Sequence, residues 1–364
     1  MNDNLKRYRA IMKGLKQLYP HQMSGRQMQH MQVLAALING IVGSGQSQLP
    51  AIANKMPGVI QRESQITRLR RWLKNERITP ATYFAPFAQA LLAGLATEPL
   101  VLVIDGSQLG RGCMCLLVSV VYQGRALPIG WLVFRGTKGH CTEARHLEVL
   151  AQVQPLIPSG ATVVVLGDGE FDGVTWLQTL VDYGWFYVCR TAKNAILYTD
   201  DDRLNFAQWG GISGQCLSLA HCLFTDQRYM VGLAIAWWDK AYQEPIYLVT
   251  NLELAEEACS YYALRFRIET FFSDQKSRGF YLHKSHLADP ARLTRLLIAA
   301  CLAYIWLVYL GALAKLRPKW LQAIHRLKRC DLSLFQLGRA LLEYFLNADL
   351  PIFVSFRMLP KRLC

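Results

Sequence analysis

Acidic residues are scarce in this chain: 26 Asp and Glu stand against 40 Lys and Arg, giving a formal charge of +14 and a pI near 9.4. That imbalance points to a polyanionic partner. Charged residues of all kinds make up only 18% and hydrophobic ones 52%, which excludes a disordered chain. Gly 26 and Pro 14 leave no collagen-like or low-complexity composition. The ten cysteines, at 113, 115, 141, 189, 216, 222, 259, 301, 330 and 364, contain no CxxC pair and no zinc-ligand rhythm. They read as small buried hydrophobes in a reducing cytoplasm. The opening Met-Asn-Asp-Asn-Leu-Lys-Arg lacks the apolar region of a secretory leader. One strongly apolar run stands out: the 19 uncharged residues Leu296–Ala314, between Arg295 and Lys315, are long enough to span a bilayer. With no second such run, and with Cys301, Tyr304, Trp306, Tyr309 and Gly311 within it, a central buried helix is expected; a membrane helix is the alternative.

At 364 residues the chain exceeds a minimal domain. Its charge is uneven. Residues 1–99 carry 13 Lys/Arg against 4 Asp/Glu, residues 312–364 carry 10 against 3, and the middle carries 17 against 19. Two basic flanks around an acid-bearing centre suit a nucleic-acid enzyme better than a generic basic surface. Residues 1–95 read as helical, with amphipathic runs at Leu5–Leu18, Gly25–Ile41 and Leu49–Lys55 broken by Pro20, Gly43-Ser44-Gly45 and Pro57-Gly58. Ser64 is a plausible N-cap for a helix over Gln65–Asn75, whose Arg68, Arg70, Arg71 and Lys74 concentrate basic charge for DNA docking or form an ordinary solvated face.

From Leu100 the texture becomes strand-like. Leu-Val-Leu-Val-Ile-Asp ends in Asp105; Met114–Tyr122 and Leu127–Phe134 follow across the turn Gln123-Gly124-Arg125. A helix is predicted over Thr142–Gln154, a second apolar strand over Ala161–Leu166 leading to Asp168, a helix over Val174–Tyr183 and a strand over Trp185–Arg190. Residues 194–250 read as a β insertion, with strands near His221–Thr225, Tyr229–Trp237 and Ile246–Thr250, and the chain is helical beyond Leu254. Aspartates following strands often serve as caps or turn formers, so Asp105 and Asp168 need a third partner to define a site. On a continuous helix over Ala255–Lys276, Tyr262, Arg265, Glu269 and Lys276 fall on one face and Leu264, Ile268 and Phe271 on the other. An amphipathic helix with an Arg265–Glu269 surface pair has the same pattern.

Tyr262, Arg265, Glu269 and Lys276 fit Y-x2-R-x3-E-x6-K without a gap, and the chain thereby resembles the insertion-sequence-four family of DDE transposases. The likeness extends through Val103-Ile104-Asp105-Gly106, Leu166-Gly167-Asp168-Gly169-Glu170-Phe171 and Leu248-Val249-Thr250-Asn251-Leu252. It implies an α/β fold: a ribonuclease H-like, retroviral-integrase-like catalytic domain over 96–313 with the β insertion at about 194–250. A helical DNA-binding domain over 1–95 and a basic helical region over 314–364 flank it. It further implies Asp105, Asp168 and Glu269 as catalytic ligands of two Mg²⁺ ions, with Mn²⁺ as the alternative. Carboxylates select such hard cations, which serve in-line displacement at phosphorus.

By the same resemblance, Tyr262, Arg265 and Lys276 hold terminal DNA, and an aromatic residue of the insertion stacks on a flipped base; Trp237 and Trp238 are the candidates, each equally able to be a core residue. Weaker readings surround these. His140, Glu143 and His146 read as polarity at a helix start rather than a metal group. Glu170 and Asp172 compete with Asp168 as ligand, Lys138, Arg190 and Lys193 could line a DNA channel, and Cys113 and Cys115 have no implied role. The implied function is a transposase of an insertion sequence, a homodimer on DNA with no membrane association. It would bind terminal inverted repeats and cleave and join DNA, with a hairpin as one excision route. The alternatives are a transposase-derived DNA-binding protein that no longer cuts, a nuclease without strand transfer, and a membrane protein.

Overall fold

The computed structural model describes residues 2–19, 23–58, 60–137, 139, 141–199, 202–209, 211–325 and 330–360. The chain opens with α1 (Asp3–Lys16), α2 (Gly25–Ser44), α3 (Leu49–Ala53), α4 (Arg62–Lys74), α5 (Pro80–Tyr83) and α6 (Ala85–Leu95). Local chemistry sets their ends. Ser24 and Gln27 form a capping box at the start of α2, and Gly45, left-handed at φ 64°, closes it. α4 starts earlier than the Ser64 cap predicted: Ser64 lies inside its first turn, and Gln61 is the cap residue.

Next come β1 (Leu100–Gly110), β2 (Cys113–Tyr122) and β3 (Arg125–Arg135), an antiparallel meander. The turn between β2 and β3 is tight because Gln123 and Gly124 both take positive φ, 44° and 76°. α7 (Glu143–Val153), β4 (Val163–Gly167), α8 (Val174–Asp182) and β5 (Phe186–Arg190) follow, with β4 parallel to both β1 and β5. The segment expected to be a β insertion holds β6 (Ile196–Tyr198), β7 (Arg203–Asn205), the short α9 (Phe206–Trp209), β8 (Cys216–Ala220), β9 (Leu223–Phe224), β10 (Tyr229–Met230), β11 (Leu233–Trp237) and β12 (Ile246–Thr250). The strand expected over Tyr229–Trp237 is thus two, parted at Val231-Gly232.

Among the described residues the main sheet has the order β3-β2-β1-β4-β5-β12-β11-β8, and β10-β9-β6-β7 form a smaller one. Part of the segment therefore prolongs the main sheet instead of standing apart from it. The architecture is mixed α/β around one large sheet.

The remaining helices are α10 (Ala255–Tyr262), α11 (Arg267–Gln275), α12 (Pro290–Leu316), α13 (Pro318–Ile324) and α14 (Leu334–Asn347). α12 contains the uncharged run. Every residue from Leu296 to Val308 is fully buried, and the helix packs against α2, α4, α14 and β3. Its one buried cation, Arg295, donates to the carbonyls of Leu73 (2.9 Å) and Ile78 (3.1 Å), placing positive charge at the C-terminal end of α4. α12 and α14 cross where Gly311 faces Gly338. A Cβ on Gly311 would stand 1.9 Å from the Leu334 carbonyl oxygen, and one on Gly338 1.8 Å from that of Leu307. The two backbones touch there, and only glycine permits it.

Gly338→Val must therefore part the helices. It is expected to lower the unfolding free energy in urea by at least about 1–3 kcal/mol. Gly94→Ala, where an added methyl meets nothing within 4 Å in α6, should raise it by roughly 0.5–1 kcal/mol.

Candidate active site

Asp105 does not end its strand. β1 runs on to Gly110, and Asp105 pairs with Leu117 of β2. What ends is the neighbour on the other side: β4 pairs with β1 from Leu100↔Val163 to Val103↔Leu166 and stops at Gly167. Continuing that register sets Asp105 level with Asp168, and the Gly167↔Cys189 pairing sets Arg190 next in the row. Adjacent strands lie about 4.8 Å apart, and in-register residues of parallel strands share a face, so extending the register brings the two carboxylates near each other. Burial, then the charge of Asp168, pushes the Asp105 carboxyl up to about 6, with Glu269 adding to the rise; the Gly106 amide (2.7 Å) and Arg265 oppose it.

The single helix predicted over Ala255–Lys276 is two. α10 ends at Tyr262, α11 begins at Arg267, and the junction is made of i→i+3 bonds such as Arg265 N to Tyr262 O (2.9 Å) and Arg267 N to Leu264 O (3.0 Å). No Gly or Pro marks the break. Tyr262 is 1% exposed, and burial pushes its hydroxyl up to about 12 against the pull of Arg265 and Arg190. Arg265, itself buried, donates through Nη2 to Glu269 Oε1 (3.3 Å) and sets Nη1 4.0 Å from Asp168 Oδ2. One guanidinium thus lies between two of the three carboxylates. Its Nε has no hydrogen-bond partner among the described residues.

Glu269 is on the first turn of α11, its side chain 57% exposed. The rest of α11 is anchored: Ile268, Phe271 and Phe272 are buried, and Asp274 accepts from Arg125 Nη1 (3.0 Å) at the start of β3. Burial outweighs that partner and lifts Asp274 to about 6. Lys276, just past the helix, donates to Ser107 Oγ of β1 (2.6 Å), so β1 presents Asp105 and, two residues on, a hydroxyl that holds the lysine.

The competing carboxylates are engaged elsewhere. Asp172 accepts from Thr191 Oγ1 (2.7 Å), and burial raises it. Glu170 faces His146 Nε2 (3.4 Å) and accepts from the Cys141 amide; these bonds overcome its burial and lower it. Burial and Glu170 in turn push the Cys141 thiol up to about 11. Glu143 has the expected helix-start role, though for α8, whose Trp176 amide it accepts (2.9 Å). His146 departs from that reading because it faces Glu170 and Cys141. Lys138 and His140 lie outside the described residues. Arg190 and Lys193 are exposed.

Trp237 and Trp238 sit at the C-terminal end of β11, on the same sheet edge as Asp105 and Asp168, three strand spacings from β4 or roughly 14 Å. Both are half-buried. Trp237 packs edge-on against Tyr242 (5.2 Å), and the Trp238 indole donates to the Tyr242 carbonyl (3.1 Å).

The basic charge of α4 is not one surface. Arg68 and Arg71 line a cleft with Gln29 and His30, whereas Arg70 and Lys74 line another of about 610 Å³ with His286 and Arg292. His286 also belongs to a cleft of about 500 Å³ with Ser107, Arg111, Lys276 and His283. His286 thus joins two clefts, one lined by Lys276 and Arg111 and the other by Arg70, Lys74 and Arg292. Ser107, Arg111, His283 and His286 went unnoticed in the sequence, where no spacing connects them to the carboxylates.

Residues 98–306 match a family model described as "Transposase DDE domain". A solved structure similar to this chain is a piggyBac transposase synaptic complex with hairpin DNA, at 11% identity, with 95% of this chain and 78% of that chain covered and a TM-score of 0.47. No curated protein matches.

Ionising Asp105 costs folding energy, because its carboxyl is raised above its ordinary 3.8. The cost is absent below that value, grows as pH rises and is complete above about 6, where a two-unit rise amounts to about 3 kcal/mol. In metal-free buffer, Asp105→Asn should therefore stabilise the protein by up to that amount at pH 8 and by almost nothing at pH 4, as read by urea denaturation.

Proposed function

The chain belongs to the transposase DDE-domain family, and on that premise we propose that it is the transposase of an insertion sequence, cutting DNA at the element's ends and joining them to target DNA. The observation that carries this reading is the meeting of Asp105 and Asp168 in one register row with Glu269, linked to Asp168 through Arg265. The ungapped signature Tyr262, Arg265, Glu269 and Lys276 supports the insertion-sequence-four family in particular. The strand order β3-β2-β1-β4-β5, with β2 alone antiparallel to β1 and β3, supports a ribonuclease H-like core.

The residues suit divalent cations. Three carboxylates without a thiol or imidazole among them form a hard oxygen set, and Asp105 is raised by burial first and then by the charges of Asp168 and Glu269, against which Arg265 acts. Asp105, Asp168 and Glu269 would hold two Mg²⁺ or Mn²⁺ ions. Bound there, the ions supply activation of a water or 3′-hydroxyl and stabilisation of the leaving oxygen. The chain's own part is positioning. Lys276, steadied by Ser107, offers a point charge to a phosphate, and Arg265 a fork. The buried Tyr262 hydroxyl keeps its proton across the physiological range and so remains a donor.

DNA would follow the basic residues from Lys276 and Arg111 to Arg292, Arg70 and Lys74, past the imidazoles of His283 and His286. The N-terminal helices 1–95 then bind the inverted repeat, with Arg68 and Arg71 on the far side of α4. A flipped base at a hairpin end would stack on Trp237 or Trp238, which share the carboxylates' edge. Joining two ends calls for two such sites, hence a homodimer on DNA.

The deciding experiment uses a labelled duplex of the element's end with Mg²⁺. Wild type should cut it and join pre-cut ends to target, while Glu269→Ala binds equally and does neither. Binding without cutting by wild type would make this a DNA-binding protein; cutting without joining would make it a nuclease. Separately, Arg70→Ala with Lys74→Ala should flatten the log K against log salt slope by about 2, since each lost phosphate contact removes roughly 0.9.

A further inference from the structure

Beside the carboxylates lies a cluster of different chemistry. Cys141 precedes α7, His146 comes from its first turn, and Glu170 from the loop after β4; their ligand atoms all lie within 4.8 Å of one another. His146 is 2% exposed, beneath the rings of Phe171 (4.4 Å) and Trp176 (6.0 Å), with Nε2 turned to Glu170 Oε1 at 3.4 Å. We infer that Cys141, His146 and Glu170 form a second metal site, for a zinc-class dication, separate from the oxygen-only site of Asp105, Asp168 and Glu269.

The donor types carry the selectivity. Thiolate and imidazole favour Zn²⁺ or Co²⁺ and discriminate against Mg²⁺, whereas three carboxylates do the reverse. Tetrahedral ligands at about 2.0–2.3 Å from zinc stand roughly 3.3–3.7 Å apart, so closing the cluster asks for a side-chain movement of about 1 Å. The thiol proton passes to solvent as the sulfur–metal bond forms, Nε2 contributes its lone pair, and Glu170 its carboxylate. Three protein ligands leave one position for water.

The consequence is local. The Glu170 amide donates to Asp168 Oδ1 (3.2 Å), so an ion gripping Glu170 fixes the turn that orients Asp168, and it ties that turn to the segment before α7. The site stands whether or not the three carboxylates bind Mg²⁺.

Cobalt tests it. Metal-free full-length protein in excess Mg²⁺ should take up one Co²⁺ with a thiolate-to-cobalt charge-transfer band and intense visible bands. The triple variant Asp105→Asn, Asp168→Asn, Glu269→Gln should keep that spectrum, which separates this site from the catalytic reading. Cys141→Ser should abolish the charge-transfer band, and His146→Gln should weaken binding at least tenfold. Without any variant, Zn²⁺ should slow alkylation of Cys141, mapped by peptide mass, and leave the rate at the exposed Cys216 unchanged. No charge-transfer band in wild type, a band surviving in Cys141→Ser, a band lost in the triple variant, or Cys141 alkylated equally fast with Zn²⁺ would each overturn the inference.

Discussion

Repulsion between carboxylates is the constraint around which this molecule is arranged. Asp105 on β1 and Asp168, one residue past the end of β4, lie level in the continued register of two adjacent parallel strands. Bringing Glu269 to the same edge adds to the rise of the Asp105 carboxyl, of which burial is the largest cause and the charge of Asp168 the next. A surface site would relax by side-chain rotation into water. Here Asp105 is held largely out of water while Asp168 and Glu269 keep partial exposure, and Arg265 supplies only one charge against three. The site is therefore electrostatically incomplete, which is the condition under which cations bind to carboxylates rather than remain hydrated.

Such a site persists only if the surroundings hold it together. Asp105 lies where β1 runs on past the end of β4, an asymmetry of the sheet itself. Glu269 arrives on a helix pinned along its apolar face and tied at its far end by Asp274 to Arg125. That pair is costly, since Asp274 remains raised despite its partner; what it contributes is a fixed position for α11 against the start of β3. Behind it, α12 gathers α2, α4, α14 and β3 on one uncharged cylinder, so a run long enough for a bilayer has its apolar partners inside the protein.

Much of the fold was legible because it is governed by local pattern. The apolar runs ending near Asp105 and Asp168, the tight turn at Gln123-Gly124 and the helical flanks all follow from periodicity and turn chemistry. The Tyr262, Arg265, Glu269 and Lys276 spacing picked out the segment that carries the third carboxylate. Where the reading failed, the cause was tertiary. Asp105 looks terminal only because its neighbour ends, a fact that belongs to β4. The break at Ala263–Phe266 contains three good helix formers, Ala263, Leu264 and Arg265, so local propensity does not announce it. The cations of α4 look like one surface in sequence, yet at 100° per residue Arg68 and Arg71 point away from Arg70 and Lys74, and only the clefts on each side reveal it.

The same limit explains the Cys141, His146 and Glu170 cluster. Cys141 and His146 are five residues apart, and Glu170 follows 24 residues after His146. No metal-ligand rhythm joins them, because the loop after β4 and the start of α7 meet only once the sheet has formed. That meeting is fixed by Phe171, which can pack under His146 because Gly167 leaves room: a Cβ there would stand 2.5 Å from the phenylalanine side chain. Gly167 therefore serves two neighbours at once. It ends β4 one residue before Asp168, opening the space beside Asp105, and it lets the following turn fold back so that Glu170 points away from the carboxylates toward His146. One small residue thus separates the two carboxylates of a five-residue stretch into different chemical surroundings.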